Sequence, residues 1–212
     1  MLQNTFIHLL TAYCDDEEYI ANCWKEIENL YTDSSRHYHT LEHLQHMLLE
    51  LEDSSQELTN KDALLFSIFY HDSIYHARRN DNEHQSALLL QKHLSSTRFN
   101  DIIHCMQQID ETKMHLTSTH TDTNLLLDLD LSVLGAERYK YEIYSQAIRK
   151  EYNMYPDLLY RKGRKKVVLK MLDNEYIYKT AFFRNRYENQ ARINLKEELI
   201  QLNKKTKFFG FS

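Results

Sequence analysis

The chain has 212 residues, a net charge of −5 and 42% hydrophobic residues, but only 3 Gly and 1 Pro. Because sandwiches, barrels and Gly-rich nucleotide loops all need Gly and Pro in their turns, this composition excludes them and predicts an all-α fold. The negative charge gives no overall positive field that would draw the chain to bulk nucleic acid or to a membrane surface. The 12 His are a first indication of metal or acid–base chemistry.

Helical periodicity begins near the N-terminus and continues along nearly the whole chain. The stretch 3–30 predicts one amphipathic helix or a broken pair, and a second helix is predicted over about 40–51. The next helix, over about 60–70, is apolar nearly all round, so we expect it at the centre of the bundle. The remaining helices are predicted around residues 87–94, 102–109, 125–134, 139–152, 167–178 and 187–199. A loop is predicted at 117–124, and Gly135 can end the helix that follows it. Pro156 predicts a connection or a helix start.

The cysteines and the N-terminus predict a cellular compartment. Cys14, Cys23 and Cys105 form an odd set without a Cys-x-x-Cys pair, which predicts free thiols in a reducing compartment. The first residues lack the basic start and apolar run of a signal peptide, and the longest apolar stretch, 63–70, is far too short to cross a bilayer. We therefore expect a cytoplasmic protein without a membrane partner.

Four polar clusters interrupt the apolar pattern. They are His39 with His43, one helical turn apart; His71-Asp72, at the end of the predicted central helix; Asp81 with Glu83, at a helix start; and Asp128 with Asp130, within a leucine run. Carboxylates in an apolar run are costly to bury unless a cation or hydrogen bonds compensate them. Imidazoles and carboxylates together suit Mn, Fe, Zn, Co or Mg, so these residues predict a centre of two His and two Asp from three helices.

Each cluster also has an ordinary structural interpretation. The histidine pair could hold the start of its helix, and the two aspartates of the leucine run could form a helix cap. The acids at 81 and 83 could cap the helix that follows them. Taken singly, none of these clusters decides a function, but their order along the chain matches a known pattern.

The order of these clusters is that of HD-domain metal-dependent phosphohydrolases, in which H, HD and D follow one another as His43, His71-Asp72 and Asp130 do here. The segment YHTLEH (38–43) is similar to the YHNxxH element of cyclic-nucleotide phosphodiesterases. More closely, the whole chain resembles a bacterial group of predicted metal-dependent HD-superfamily phosphohydrolases. The matching stretches are RHYHTLEHL (36–44), FYHDSIY (69–75), DNEHQSA (81–87), DLDLSVLG (128–135), IRKEY (148–152), YRKGR (160–164), IYKTAFF (177–183) and ENQARINLKEEL (188–199).

The resemblance implies a single-domain, HD-type helical bundle over 1–212. Its metal-binding core would span about 36–135, and its C-terminal helices, about 136–205, would pack on that core. The resemblance also implies one or two divalent ions. The implied metal ligands are His43, His71, Asp72 and Asp130.

Two positions of this ligand set have alternatives. Asp130 is preferred to Asp128 because the D-x-D element usually coordinates through its second acid. The segment after Arg36 also fits the R-x-x-H pattern of other HD enzymes, which would move the first ligand to His39. The phosphodiesterase-like alignment instead makes His43 the ligand and His39 the acid that protonates the leaving oxygen.

The remaining implied roles concern catalysis and phosphate binding. Asp72 would bridge two ions where two are present, and Glu83, with Asp81 beside it, would orient or deprotonate the attacking water. Thr112 and His115 fit a T-x-x-H element, and His115 could ligate a second metal, contact phosphate or have a structural role. The residues expected to bind substrate phosphate are Arg78, Arg149 and Arg164.

The function implied is hydrolysis of a small phosphate ester, a nucleotide or cyclic nucleotide being the most natural case, by metal-activated water. The alternative is a metal-containing protein that binds or senses a nucleotide without turning it over. A purely structural helical adaptor ranks below both. The helical surface could also support a homodimer.

Overall fold

The computed structural model describes residues 1–204, and within them it contains ten α-helices, one short 3₁₀ helix and no β-strand. The predicted all-α fold class is therefore confirmed. The described residues group into two compact units, Met1–Ser132 and a second unit that begins at Val133. The prediction of one domain with the C-terminal helices packed on a metal-binding core stays a prediction, and Lys205, the last residue of that predicted range, lies outside the described residues.

The first unit contains seven helices. They are α1 (Leu2–Thr11), α2 (Glu17–Tyr31), α3 (Leu41–Ser54), α4 (Lys61–Tyr70), α5 (Asn82–Leu94), α6 (Ile102–Thr112) and α7 (Thr121–Leu131). The stretch 3–30 is thus a broken pair of helices. The second of the pair starts at Glu17 because the Asp16 carboxylate accepts the backbone N–H of Tyr19 at 2.9 Å and so caps the new helix.

Helix α4 is the central helix of the first unit. Every residue from Ala63 to Tyr70 is buried, and the helix contacts α1, α3, α5, α6 and α7. It starts where the Asn60 side chain accepts the backbone N–H of Ala63 at 3.0 Å. The predicted central position is confirmed, and it delivers His71 and Asp72 to the middle of the unit because they directly follow the last residue of this helix.

Helix α7 starts earlier than its leucine run predicts. Residues 121–124, expected in a loop, form its first turn. Two tertiary contacts stabilise this start: the Asp122 carboxylate accepts the backbone N–H groups of Thr59 and Asn60 at 3.0 and 2.7 Å. The loop therefore shortens to 117–120, because the Asp122 side chain binds main-chain groups that are distant in sequence.

The second unit contains three long helices. They are α8 (Arg138–Glu151), α9 (Asp157–Asp173) and α10 (Ala181–Asn203), preceded by a 3₁₀ turn at Ser132–Gly135. Pro156 directly precedes α9, as its fixed φ angle allows. The helix predicted over 167–178 is wrong at its C-terminal end: it stops at Asp173, and the backbone N–H groups of Ile177 and Tyr178 instead donate to the Glu188 carboxylate at 3.0 and 3.2 Å.

Two further sequence expectations concern the thiols and the bilayer. Cys14, Cys23 and Cys105 are all free and buried, which confirms the expected free thiols. Among the helices within residues 1–204, none is both long enough and apolar enough to cross a membrane. The cytoplasmic location stays a prediction.

Candidate metal centre

Four side chains from three helices meet inside the first unit. His43 lies in the first turn of α3, His71 and Asp72 follow the end of α4, and Asp130 lies in the last turn of α7. One ligand atom from each of the four residues lies within 4.8 Å of all the others. The group is therefore one that could hold a metal ion, and its members are the four residues that the sequence motifs imply.

The distances within the group fit a shared cation. His43 Nε2 lies 3.2 Å from His71 Nε2 and 3.2 Å from Asp130 Oδ1. His71 Nε2 lies 3.2 Å from Asp72 Oδ2 and 3.7 Å from Asp130 Oδ1. Ligands that bind one ion at about 2.1 Å are roughly 3.0–3.4 Å apart in octahedral or tetrahedral geometry. The three separations of 3.2 Å lie in that range, the separation of 3.7 Å between His71 and Asp130 lies outside it, and all pairs lie within 4.8 Å.

The orientation of the two imidazoles also suits metal binding. His71 Nδ1 lies 2.8 Å from the carbonyl oxygen of Ile68, which can only accept, so Nδ1 carries a proton and Nε2 faces the group. His43 likewise directs Nε2 into the group, while its buried Nδ1 has no hydrogen-bond partner among the described residues. Two buried nitrogens that face each other beside two carboxylates form a donor set suited to a divalent ion.

Burial and charge set the protonation states of the group. Burial lowers the pKa of His43, which favours the neutral, ligating form. Burial also opposes protonation of His71, but Asp72 and Asp130 outweigh it and raise the pKa of His71 well above its usual value. Burial alone would raise the pKa of each aspartate; the neighbouring imidazoles outweigh it and lower both. Both carboxylates are therefore ionised, the form that binds a cation.

The structure separates the alternatives that the sequence left open. His39 lies beside the group rather than in it: its Nε2 is 3.7 Å from Asp72 Oδ2, and its ring stacks on Tyr75 with centroids 4.0 Å apart. Asp128 is completely buried and is not one of the four, because residues two apart on a helix point in different directions. The geometry thus favours His43 and Asp130 as ligands, and their roles stay predictions.

The two residues of the T-x-x-H element, Thr112 and His115, make different contacts. The Thr112 hydroxyl donates to the carbonyl oxygen of Ile109 at 2.7 Å within its own helix. His115 Nε2 lies 2.9 Å from Asp130 Oδ2, the carboxylate oxygen that does not face His43. His115 also has a left-handed backbone, with φ of 51°, a conformation that is strained for a residue with a side chain. His115 therefore orients Asp130 from outside the group.

The acids at the start of α5 are partly exposed. Glu83 has a side-chain exposure of 24%, and its carboxylate lies 4.0 Å from Lys113 Nζ. Asp81 makes no side-chain cap to the helix, contrary to the capping interpretation, and instead accepts two hydrogen bonds from Arg79 at 2.9 and 2.8 Å. Arg78 is exposed on the same loop. Neither acid belongs to the four-residue group.

The other two arginines expected to bind phosphate lie in the second unit, where each has protein partners. Arg164 is buried and donates from Nε and Nη2 to the Glu198 carboxylate at 2.8 and 3.0 Å. Arg149 donates to Asp157 at 2.6 Å and lies over the Tyr160 ring at 4.6 Å. These contacts give both arginines a structural role, and phosphate binding by them stays a prediction.

Sequence reasoning did not select three residues that contact the site or its ligand segments. Lys113 lies beside Glu83, and Arg36 and Tyr31 hydrogen-bond to the main chain around Asp72. Arg36 stands at the start of the RHYHTLEHL segment and of the R-x-x-H pattern, but neither pattern indicates what its side chain contacts. A hydrogen bond to a main-chain carbonyl leaves no pattern in the sequence, since every residue has such an acceptor.

Comparisons with protein-family models, with curated proteins and with solved structures found no match for this chain. The fold and the site therefore define its class by themselves. It is an all-α protein with a His₂Asp₂ group, enclosed in its N-terminal unit, that could hold a metal ion.

Proposed function

We propose that this chain is a metal-dependent phosphohydrolase that cleaves a small phosphate ester, with a nucleotide or cyclic nucleotide as the most natural substrate. The observation that carries the proposal is the convergence of His43, His71, Asp72 and Asp130 to within 4.8 Å. The H…HD…D order of these residues supports it, because phosphohydrolases with that order hold their catalytic metal in the same way.

The four residues would hold a divalent ion, Mn, Fe, Zn, Co or Mg, through two imidazole nitrogens and two carboxylates. When bound, such an ion supplies Lewis acidity toward a phosphoryl oxygen and toward water. The protein supplies burial, since His43 and His71 are 3% and 1% exposed. In an environment with little water, charge interactions with a phosphate are stronger than in bulk solvent.

His39 is suited to act as the general acid. Its side chain is 13% exposed and lies 3.7 Å from Asp72 Oδ2, so it faces the group without belonging to it. Stacking on Tyr75 fixes the plane of its ring. A histidine held in this way is placed to deliver a proton to a leaving oxygen.

The outer residues have complementary tasks. His115 holds Asp130 in position through the hydrogen bond to Oδ2. Glu83, next to Lys113, would orient or deprotonate water, and the exposed Arg78 offers a planar guanidinium to phosphate oxygens. In this proposal the acid is His39, the base is Glu83 and the cation is Arg78, and each lies on a segment next to a ligand-bearing helix.

The proposal is tested by metal analysis and phosphate release. Purified protein is analysed for bound metals by mass spectrometry and then assayed with Mn, Co or Mg against a panel of nucleoside monophosphates and cyclic nucleotides. Asp72→Ala should abolish both metal retention and turnover. Asp110→Asn is the matched control, because Asp110 forms an exposed pair with His84 at 3.5 Å in the same unit and should leave both properties unchanged.

Three outcomes discriminate between the candidate functions. Metal-dependent turnover that is lost in Asp72→Ala supports the phosphohydrolase. Bound metal with nucleotide that remains intact and tightly held would instead identify a nucleotide-binding protein that uses the same site. Absence of bound metal and of any cleavage would overturn both functions and leave the four residues as a hydrogen-bonded structural cluster.

A further inference from the structure

Arg36 is a buried cation that contacts the main chain on both sides of the candidate metal centre. The residue is 7% exposed. Its Nη1 donates to the carbonyl oxygens of His39 at 3.0 Å and Asp72 at 2.7 Å, and its Nη2 donates to that of Ser73 at 2.6 Å. One guanidinium therefore joins the segment that leads into α3 to the segment that leaves α4.

Tyr31 completes this arrangement from the end of α2. Its hydroxyl oxygen accepts the backbone N–H of Asp72 at 3.3 Å, and Arg36 lies over its ring at 4.8 Å. The ring is completely buried. The N–H and the carbonyl of Asp72 are thus both bound, one by Tyr31 and one by Arg36, so the main chain that carries this side chain has little freedom to rotate.

We propose that Arg36 and Tyr31, which we call the main-chain clamp, are positioning residues that set the spacing of the metal ligands. The proposal deepens the proposed function and rests on its metal centre. Neither residue needs to touch metal or substrate. The clamp acts through the peptide groups of His39, Asp72 and Ser73, and so fixes the distance between the segment that carries His43 and the segment that carries His71.

The geometry of the guanidinium explains why arginine occupies this position. Three acceptors on two segments require a planar group with several N–H donors in fixed directions. A lysine ammonium is a single charged point on a flexible stem and cannot reach His39 and Ser73 carbonyls simultaneously in the same geometry. Partners that orient ligands from outside a metal site typically contribute 10–100-fold to metal affinity.

The test measures metal affinity separately from folding. The dissociation constant for Mn²⁺ is measured by calorimetry, and the visible spectrum of the Co²⁺ form is recorded, for wild type, Arg36→Lys and Tyr31→Phe. The melting temperature of each metal-free protein is measured in parallel. We expect Arg36→Lys to weaken Mn²⁺ binding about 10-fold or more and Tyr31→Phe about threefold, with altered Co²⁺ bands.

Two control variants report what the same substitutions do away from the site. Arg184 donates to the carbonyl oxygens of Tyr178 and Lys179, each at 2.8 Å, so Arg184→Lys removes a similar clamp in the second unit. The Tyr19 hydroxyl donates to the carbonyl oxygen of His93 at 2.7 Å, so Tyr19→Phe is the matched loss of a hydroxyl. Both controls should keep the Mn²⁺ dissociation constant within twofold of wild type.

The outcomes distinguish the clamp from the proposed function. Suppose that wild type binds Mn²⁺, that the dissociation constants of both clamp variants lie within twofold of the wild-type value, and that the Co²⁺ spectra are unchanged. In that case the clamp is overturned and the proposed function stands. If wild type binds no metal at all, both are overturned. If Arg36→Lys fails to fold, Tyr31→Phe decides the result, because it removes one oxygen atom and keeps the buried ring.

Discussion

Replacing Arg164 with methionine should strongly destabilise the protein. Arg164 is 9% exposed and Glu198 is 7% exposed, and two hydrogen bonds of 2.8 and 3.0 Å join them. The hydroxyls of Tyr141 and Ser145 also donate to Glu198. Methionine would leave the Glu198 carboxylate buried without its cation.

The magnitude follows from the burial of this pair. Removing one partner of a buried ion pair costs about 3–5 kcal/mol, because the other charge stays away from water without compensation. For a chain of this length each kcal/mol lowers the melting temperature by roughly 2–4 °C, so we expect a loss of roughly 6–20 °C. Replacing both partners with apolar residues removes the uncompensated charge, and the double variant Arg164→Met/Glu198→Leu should regain at least about half of the loss.

Urea unfolding of the full chain, followed by circular dichroism, gives the free energies of unfolding of wild type, Arg164→Met and the double variant. A value for Arg164→Met within about 1 kcal/mol of wild type would refute the reasoning, as would a double variant no more stable than the single one. A further variant, Arg164→Lys, tests the phosphate-binding role of Arg164. A substrate contact predicts that Arg164→Lys raises KM while the stability is retained, whereas the structural role predicts a loss of stability with KM unchanged.

The remaining predictions concern metal, pH and two glycines. Mn²⁺ at about 100 times its dissociation constant should raise the free energy of unfolding of chelator-treated protein by about 2.7 kcal/mol, and Asp130→Asn should abolish that rise; an equal rise in the variant would contradict the metal assignment. Burial lowers the pKa of His93 below 6.5, so the unfolded chain takes up the proton first and stability should fall as the pH drops from above 6.5 to below it. Urea titrations of His93→Gln should show a weaker pH dependence, and an unchanged slope would argue against this origin. Gly163→Ala fills open space within a helix and should raise the melting temperature, since alanine is favoured by about 1 kcal/mol there. Gly135→Ala should lower it, because the new Cβ would lie 2.5 Å from the Cβ of Tyr187; shifts of the same sign in both variants would be inconsistent with this packing.

Much of the fold could be predicted from local properties of the chain. The scarcity of Gly and Pro indicated helices because it left too few residues for the turns of a β protein. The central position of α4 followed from a segment that is apolar all round, since only a helix enclosed on every side can bury such a surface. The start of α7 and the end of α9 could not be predicted, because Asp122 and Glu188 set them through contacts with distant main-chain groups.

For the candidate site, too, some properties could be predicted from the sequence and others could not. The sequence by itself determined which residue types were available and in what order, and that order singled out His43, His71, Asp72 and Asp130. Only the tertiary structure decided that these four converge while His39 and Asp128 do not, because the direction of a side chain depends on how its helix packs. It also decided that Arg36 binds the main chain of Asp72 and that Arg164 pairs with Glu198. Such contacts join residues more than 30 positions apart, and no local pattern records them because any carbonyl or carboxylate can accept the same donor.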